Sequence, residues 1–187
     1  MTLTLTNRQR DRKINLRRLK EIAGALLVEL GGPAAALEIA LVSRARMAKV
    51  NQAFLGHAGP TDVITFDYRE EEAVRAPGEG AHPRPRAQSG ARPARTLKPP
   101  EARAPGTRRE DAAAGWSGEL FICPAVAVAQ AREFGTDWRS ELVRYVIHGL
   151  LHLQGHDDQE PAARRRMKRA EGRWLQKIGR RFALSKL

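Results

Sequence analysis

The sequence has one cysteine, Cys123, so no disulfide can form within the chain and nothing in its thiol content points to an oxidising compartment. No window approaches the roughly 20 apolar residues that a membrane-spanning helix requires. The opening residues, MTLTLTNRQRDRKINLRR, lack the apolar core of about 7–15 residues that a secretory signal carries. Together these absences lead us to expect a cytoplasmic protein. Aromatic side chains make up only 5% of the chain, which argues against an extended surface for stacking bases. Acids are also scarce: 21 Asp and Glu face 33 Lys and Arg, leaving a formal charge of +12. Such an excess points to a polyanionic partner, nucleic acid before membrane surface. A merely solvated basic surface is the plainer alternative.

The 187 residues suffice for one domain with one core. They are interrupted by residues 73–115, which hold seven of the eleven prolines, nine Arg and Lys, four acids and almost no large apolar side chain. Burial there cannot offset ordering entropy, so we expect a Pro/Arg/Ala-rich disordered insertion within a single domain made of 1–72 and 116–187. Leu3 and Leu5 alternate as in a short edge strand. The stretch Ile14–Leu30 has helical apolar spacing and stops at Gly31, Gly32 and Pro33. LEIALV at 37–42 is a strand candidate, and Ser43 caps a basic amphipathic helix carrying Met47, Val50 and Phe54. Thr61–Asp67 reads as a central strand and Gly118–Cys123 as another. Three helices follow: one opened by Pro124, one bearing Leu142, Val146 and Leu150, and a basic one from about Pro161 to Ile178. The order βαβαββααα implies an α+β fold, α/β-like, with a small mixed four-stranded sheet packed with about five helices.

His148 and His152 lie four residues apart on the expected helix Glu141–Gln154, so their imidazoles share one face, as two ligands of one divalent ion must. Gly155 ends that helix, and the turn after it offers two third ligands, His156 and Asp158. Asp158 has the better register, because a glycine three residues past the second histidine returns the chain near the tenth position. Gly149 stands where an HExxH protease carries its glutamate base, so peptide hydrolysis by that route is not expected.

The block VIHGLLHLQGHDD is similar to the HGxLHLxGYDH signature of the YbeY family of bacterial rRNA-maturation endoribonucleases. Asn51–Phe54 and Pro60–Phe66 resemble that family's NxxY/F segment and PTDVLSF strand, and Ser117–Cys123 resembles its LGDxxIC strand. The likeness covers roughly residues 35–70 and 116–175. It implies one zinc ion held by three histidines in a basic cleft. The implied activity is cleavage of single-stranded RNA, notably at the 3′ end of small-subunit rRNA, and in ribosome quality control. Carried over by position, the ligands here are His148, His152 and Asp158, with His156 in place of the usual tyrosine. Leu55 stands where the family carries an arginine.

The resulting expectation is a metal-dependent endoribonuclease acting through an ion on His148, His152 and Asp158 or His156. Arg44, Arg46, Lys49, Thr61, Asp62 and Thr65 are the candidate substrate-binding residues. Two other readings stay open: a non-catalytic ribosome-associated RNA-binding factor with a structural metal, and a metal-dependent hydrolase of another substrate.

Overall fold

The computed structural model describes residues 2–31, 36–68 and 117–187, together with the backbone of 86–89. The rest of the expected insertion, and Trp116 beside it, lie outside the described residues. Strands β1 (Thr2–Asn7), β2 (Ala36–Leu41), β3 (Val63–Asp67), β4 (Arg86–Ser89) and β5 (Gly118–Ile122) form one mixed sheet in the order β1-β2-β5-β3-β4. The first three in that order run parallel, while β3 is antiparallel to both β5 and β4. The four strands expected from the sequence are therefore joined by a fifth. Its RAQS sequence carries no apolar alternation, and it forms by pairing with the free edge of β3.

Among the described residues five α-helices accompany the sheet: α1 (Leu16–Glu29), α2 (Arg44–Leu55), α3 (Pro124–Phe134), α4 (Trp138–Leu153) and α5 (Pro161–Arg181). The Asn15 and Ser43 side chains cap α1 and α2 by accepting from the Arg18 and Arg46 amides. Gly56 and Gly135 end α2 and α3 in the left-handed conformation that glycine adopts without strain. None of the helices among the described residues is long and apolar enough to cross a membrane.

Strand alternation sends side chains into two layers. Leu37, Ile39, Leu41, Val63, Leu120 and Ile122 face α1, α4 and α5 in the larger core. Ala40, Val42, Ile64, Phe66 and Cys123 face Met47 and Val50 of α2 on the opposite side. Helix α4 is buried along nearly its whole length, because it lies between the sheet and α5. Burial also pushes the Cys123 thiol pKa up, so the residue packs as a small hydrophobe.

One glycine fixes how closely α4 approaches the sheet. A Cβ on Gly118 would lie 2.7 Å from the Phe66 carbonyl oxygen and 2.8 Å from Leu153 Cδ2. The carbonyl belongs to the paired strand β3, so it cannot withdraw without disturbing the ladder. Gly118→Ala is expected to destabilise the fold by about 1–3 kcal/mol through overpacking, read as a lower urea midpoint with an unchanged slope.

Candidate metal centre

His148 and His152 sit in the last turns of α4, both buried by the sheet below and α5 beside them. The helix ends at Gln154, and Gly155 takes a φ of 85° that turns the chain back, placing the Asp158 carboxylate over the two rings. His148 Nε2 and His152 Nε2 are 2.9 Å apart, and Asp158 oxygens lie 3.9 Å from each. Among the described residues these three form a group whose ligand atoms all lie within 4.8 Å of one another. Zinc–nitrogen bonds of about 2.0–2.1 Å place two tetrahedral ligands about 3.3 Å apart, so the observed triangle needs only small adjustment.

The outer nitrogens explain why the inner ones converge. His148 Nδ1 donates to Glu171 Oε1 on α5 at 2.7 Å. His152 Nδ1 donates to the His156 carbonyl oxygen at 3.0 Å. A carbonyl oxygen can only accept, so the proton of neutral His152 sits on Nδ1 and its Nε2 presents a lone pair. Glu171 imposes the same tautomer on neutral His148. Two lone pairs facing each other across 2.9 Å need a cation between them, either a proton or a metal ion.

The ionisation of the pair follows. Burial pulls the His148 pKa down, but the hydrogen bond and charge of Glu171, aided by Asp62 and Asp158, override it and hold the value above the ordinary histidine range. Burial and the neighbouring His148 push His152 down to about 4. Burial raises the Asp158 carboxyl against the attraction of His148. Without an ion, His148 is the group that holds the proton, and a metal ion must displace it.

The other sequence-derived candidates are placed as follows. The His156 imidazole is exposed, and the residue contributes its carbonyl rather than its ring. Asp62 Oδ1 accepts from the Val63 amide at 2.9 Å and from the Thr61 hydroxyl at 2.8 Å, so it caps β3 while its charge reaches His148. Thr65 is buried beneath Gly149, and its hydroxyl has no hydrogen-bond partner among the described residues. A Cβ on Gly149 would lie 2.6 Å from Leu120 Cδ2 and 3.2 Å from the Thr65 hydroxyl. A glutamate there would have to displace the Leu120 methyl groups, so the close packing of this turn favours glycine at the position of an HExxH base. Arg44, Arg46 and Lys49 are exposed on α2, whose core contacts lie across the sheet from the α4 layer. Leu55, at the end of α2, is half-buried and packs against that same second core.

Two further residues complete the site. Glu171 is buried on α5, and Arg144 on α4 reaches its second oxygen at 3.9 Å while pairing with Glu141 at 3.3 Å. The sequence held one signal for Glu171: it is the single acid in the 21 residues of α5, and it falls on the buried face with Met167 and Ile178.

The family model described as Endoribonuclease YbeY matches residues 4–179, nearly the whole chain. The chain belongs to this family. The Endoribonuclease YbeY of Salinispora tropica is 32% identical over 155 residues, covering 82% of both chains. The YbeY of Cutibacterium acnes is 34% identical over 135 residues, covering 72% of this chain and 66% of the relative. The solution structure of TM1509 from Thermotoga maritima shares the fold, with a TM-score of 0.53 over 95% of this chain and 89% of that one, at 23% identity. Asp158, the carboxylate of the three-residue group, stands where the signature quoted above has its last histidine.

Proposed function

We propose that this chain is a metal-dependent endoribonuclease that cuts single-stranded RNA in rRNA maturation, at the 3′ end of small-subunit rRNA, in the cytoplasm. Its cofactor is one zinc ion on His148, His152 and Asp158. The observation that carries the reading is the pair of imidazoles with their Nδ1 protons committed outward and their lone pairs 2.9 Å apart beneath a carboxylate. Membership in a family of endoribonucleases supplies the substrate class.

A bound divalent ion would supply a Lewis acid for the phosphodiester and an acidified water. The chain does the rest. Glu171 holds the Nδ1 proton of His148, and the His156 carbonyl holds that of His152, so neither ring can turn away. Asp158 adds a negative charge that three neutral imidazoles would lack. Asp62, just before β3, directs its negative charge toward His148, and Thr65 within β3 lies beneath Gly149. Leu55 favours a second reading, an RNA-binding factor that has lost cleavage, because a packed leucine offers no charge to a phosphate.

Chelation separates the two. A labelled single-stranded fragment from the 3′ end of small-subunit rRNA is expected to be cut by the zinc-loaded protein, to survive after chelation, and to be cut again when one equivalent of zinc is restored. Binding without cutting in every condition overturns the nuclease and supports the factor.

A further inference from the structure

The +12 charge of the chain is not spread evenly. Helix α5 carries nine Arg and Lys against one acid, a net +8, while residues 73–115 carry +5. Everything else nets −1. Met167, Ala170, Glu171 and Ile178 turn one side of α5 inward, leaving Arg165, Arg169, Arg173 and Arg180 along the exposed side. None of these four has an acidic partner among the described residues, whereas Lys177 and Arg181 nearby both pair with Glu29.

A solvated helix face is ordinarily built from alternating signs. Here Arg165, Arg169, Arg173 and Lys177 are successive like charges at i,i+4 spacing, which destabilises an isolated helix, and no acid occupies the first turn to offset the dipole. Seven of the nine cations are arginine, whose planar fork matches phosphate oxygens. Between the C-terminal half of α5 and α1 the row borders a cleft of about 470 Å³, lined by Arg173, Gln176, Lys177, Arg180, Arg181 and Glu29. At its other end, Arg164 donates to the carbonyl oxygens of Asp158 and Gln159, tying the start of α5 to the metal-site turn. The row starts at the next residue, Arg165, and spans about 22 Å from 165 to 180 at about 1.5 Å per residue.

We infer that the outer face of α5 is a docking surface for the sugar–phosphate backbone of single-stranded RNA, tracking the strand away from the metal centre. The inference rests on the endoribonuclease reading for its choice of polyanion. It also places cations on the helix that packs beside α4, whereas the core contacts of α2 lie on the other side of the sheet.

The test is the salt dependence of binding by the full chain to a fluorescein-labelled single-stranded RNA, measured by anisotropy with chelator present so that nothing is cut. Each phosphate contact contributes about 0.7 to the slope of log K against log salt. An R165Q/R169Q/R173Q/R180Q variant is therefore expected to lose about 3 from that slope, equivalent to about 50-fold less weakening between 50 and 200 mM salt. Its melting temperature should hold or rise, since like charges are removed. If the fourfold variant fails to fold, R169Q/R173Q should lose about 1.4. An unchanged slope overturns the inference, as does wild-type protein that binds phosphatidylglycerol vesicles through these arginines but not RNA. A lost slope with no cutting by the zinc-loaded wild type leaves the docking surface standing and overturns only the nuclease.

Discussion

A His148→Ala substitution is expected to empty the metal centre and to lower cleavage of single-stranded RNA by on the order of 10³-fold or more, because an ion contributes several kcal/mol and each 1.36 kcal/mol is about tenfold in rate. In the proposed ligand set the imidazole is one of two nitrogens, and its removal leaves His152 and an Asp158 carboxylate whose nearest oxygen is 3.9 Å away. His152→Ala should behave alike, and Asp158→Ala should weaken metal binding while leaving the imidazole pair. His156→Ala is the discriminating control. Its ring is exposed and its contribution is a carbonyl oxygen that alanine also has, so metal content should persist. Metal-to-protein ratios after gel filtration, beside cleavage of the same RNA, check all four. Stoichiometric metal retained in both His148→Ala and His152→Ala would sink the assignment. Metal lost in His156→Ala but kept in Asp158→Ala would exchange the third ligand.

How much of this was legible in the sequence depends on where each signal lay. The i,i+4 histidines, Gly155 and the register of Asp158 form one continuous block, and local helical geometry brings them together without tertiary information. The apolar spacings of α1 and α4 likewise foretold the larger core, with Leu19, Ile22 and Leu26 fully buried as their period requires. What failed to show was partnership across elements. Strand β4 has no apolar pattern because its register comes from β3. Arg44, Arg46 and Lys49 lie on the helix that ends at Leu55, as candidates to supply the positive charge that leucine lacks. The alternation of Val63 and Ile64 to opposite faces instead puts α2 and α4 on opposite sides of the sheet. Net charge was legible as a total, but its concentration on α5 became meaningful only once one face of that helix was seen to be exposed.

Glu171 is the residue that tests whether this cross-element support has functional weight. A Glu171→Gln substitution preserves shape and leaves an amide oxygen able to accept from His148 Nδ1, so the ring need not move. What disappears is the negative charge 2.7 Å from that nitrogen. A carboxylate in this position makes the imidazole a better ligand, and its loss typically costs 10–100-fold in metal affinity. The zinc dissociation constant of Glu171→Gln, measured by competition with a chromophoric chelator, is expected to rise by about that factor. Glu171→Ala should rise further, since His148 Nδ1 then loses its acceptor altogether. A purely structural role is separated by pH. The raised His148 pKa of the metal-free protein contributes stability that is fully present below the unfolded histidine pKa, about 6.5, and is lost as pH rises through the folded value. The gap in melting temperature between metal-free wild type and Glu171→Gln should therefore be wide below the unfolded histidine pKa and should close as pH rises through the raised folded value. An unchanged zinc affinity with a pH-independent gap would reduce Glu171 to packing.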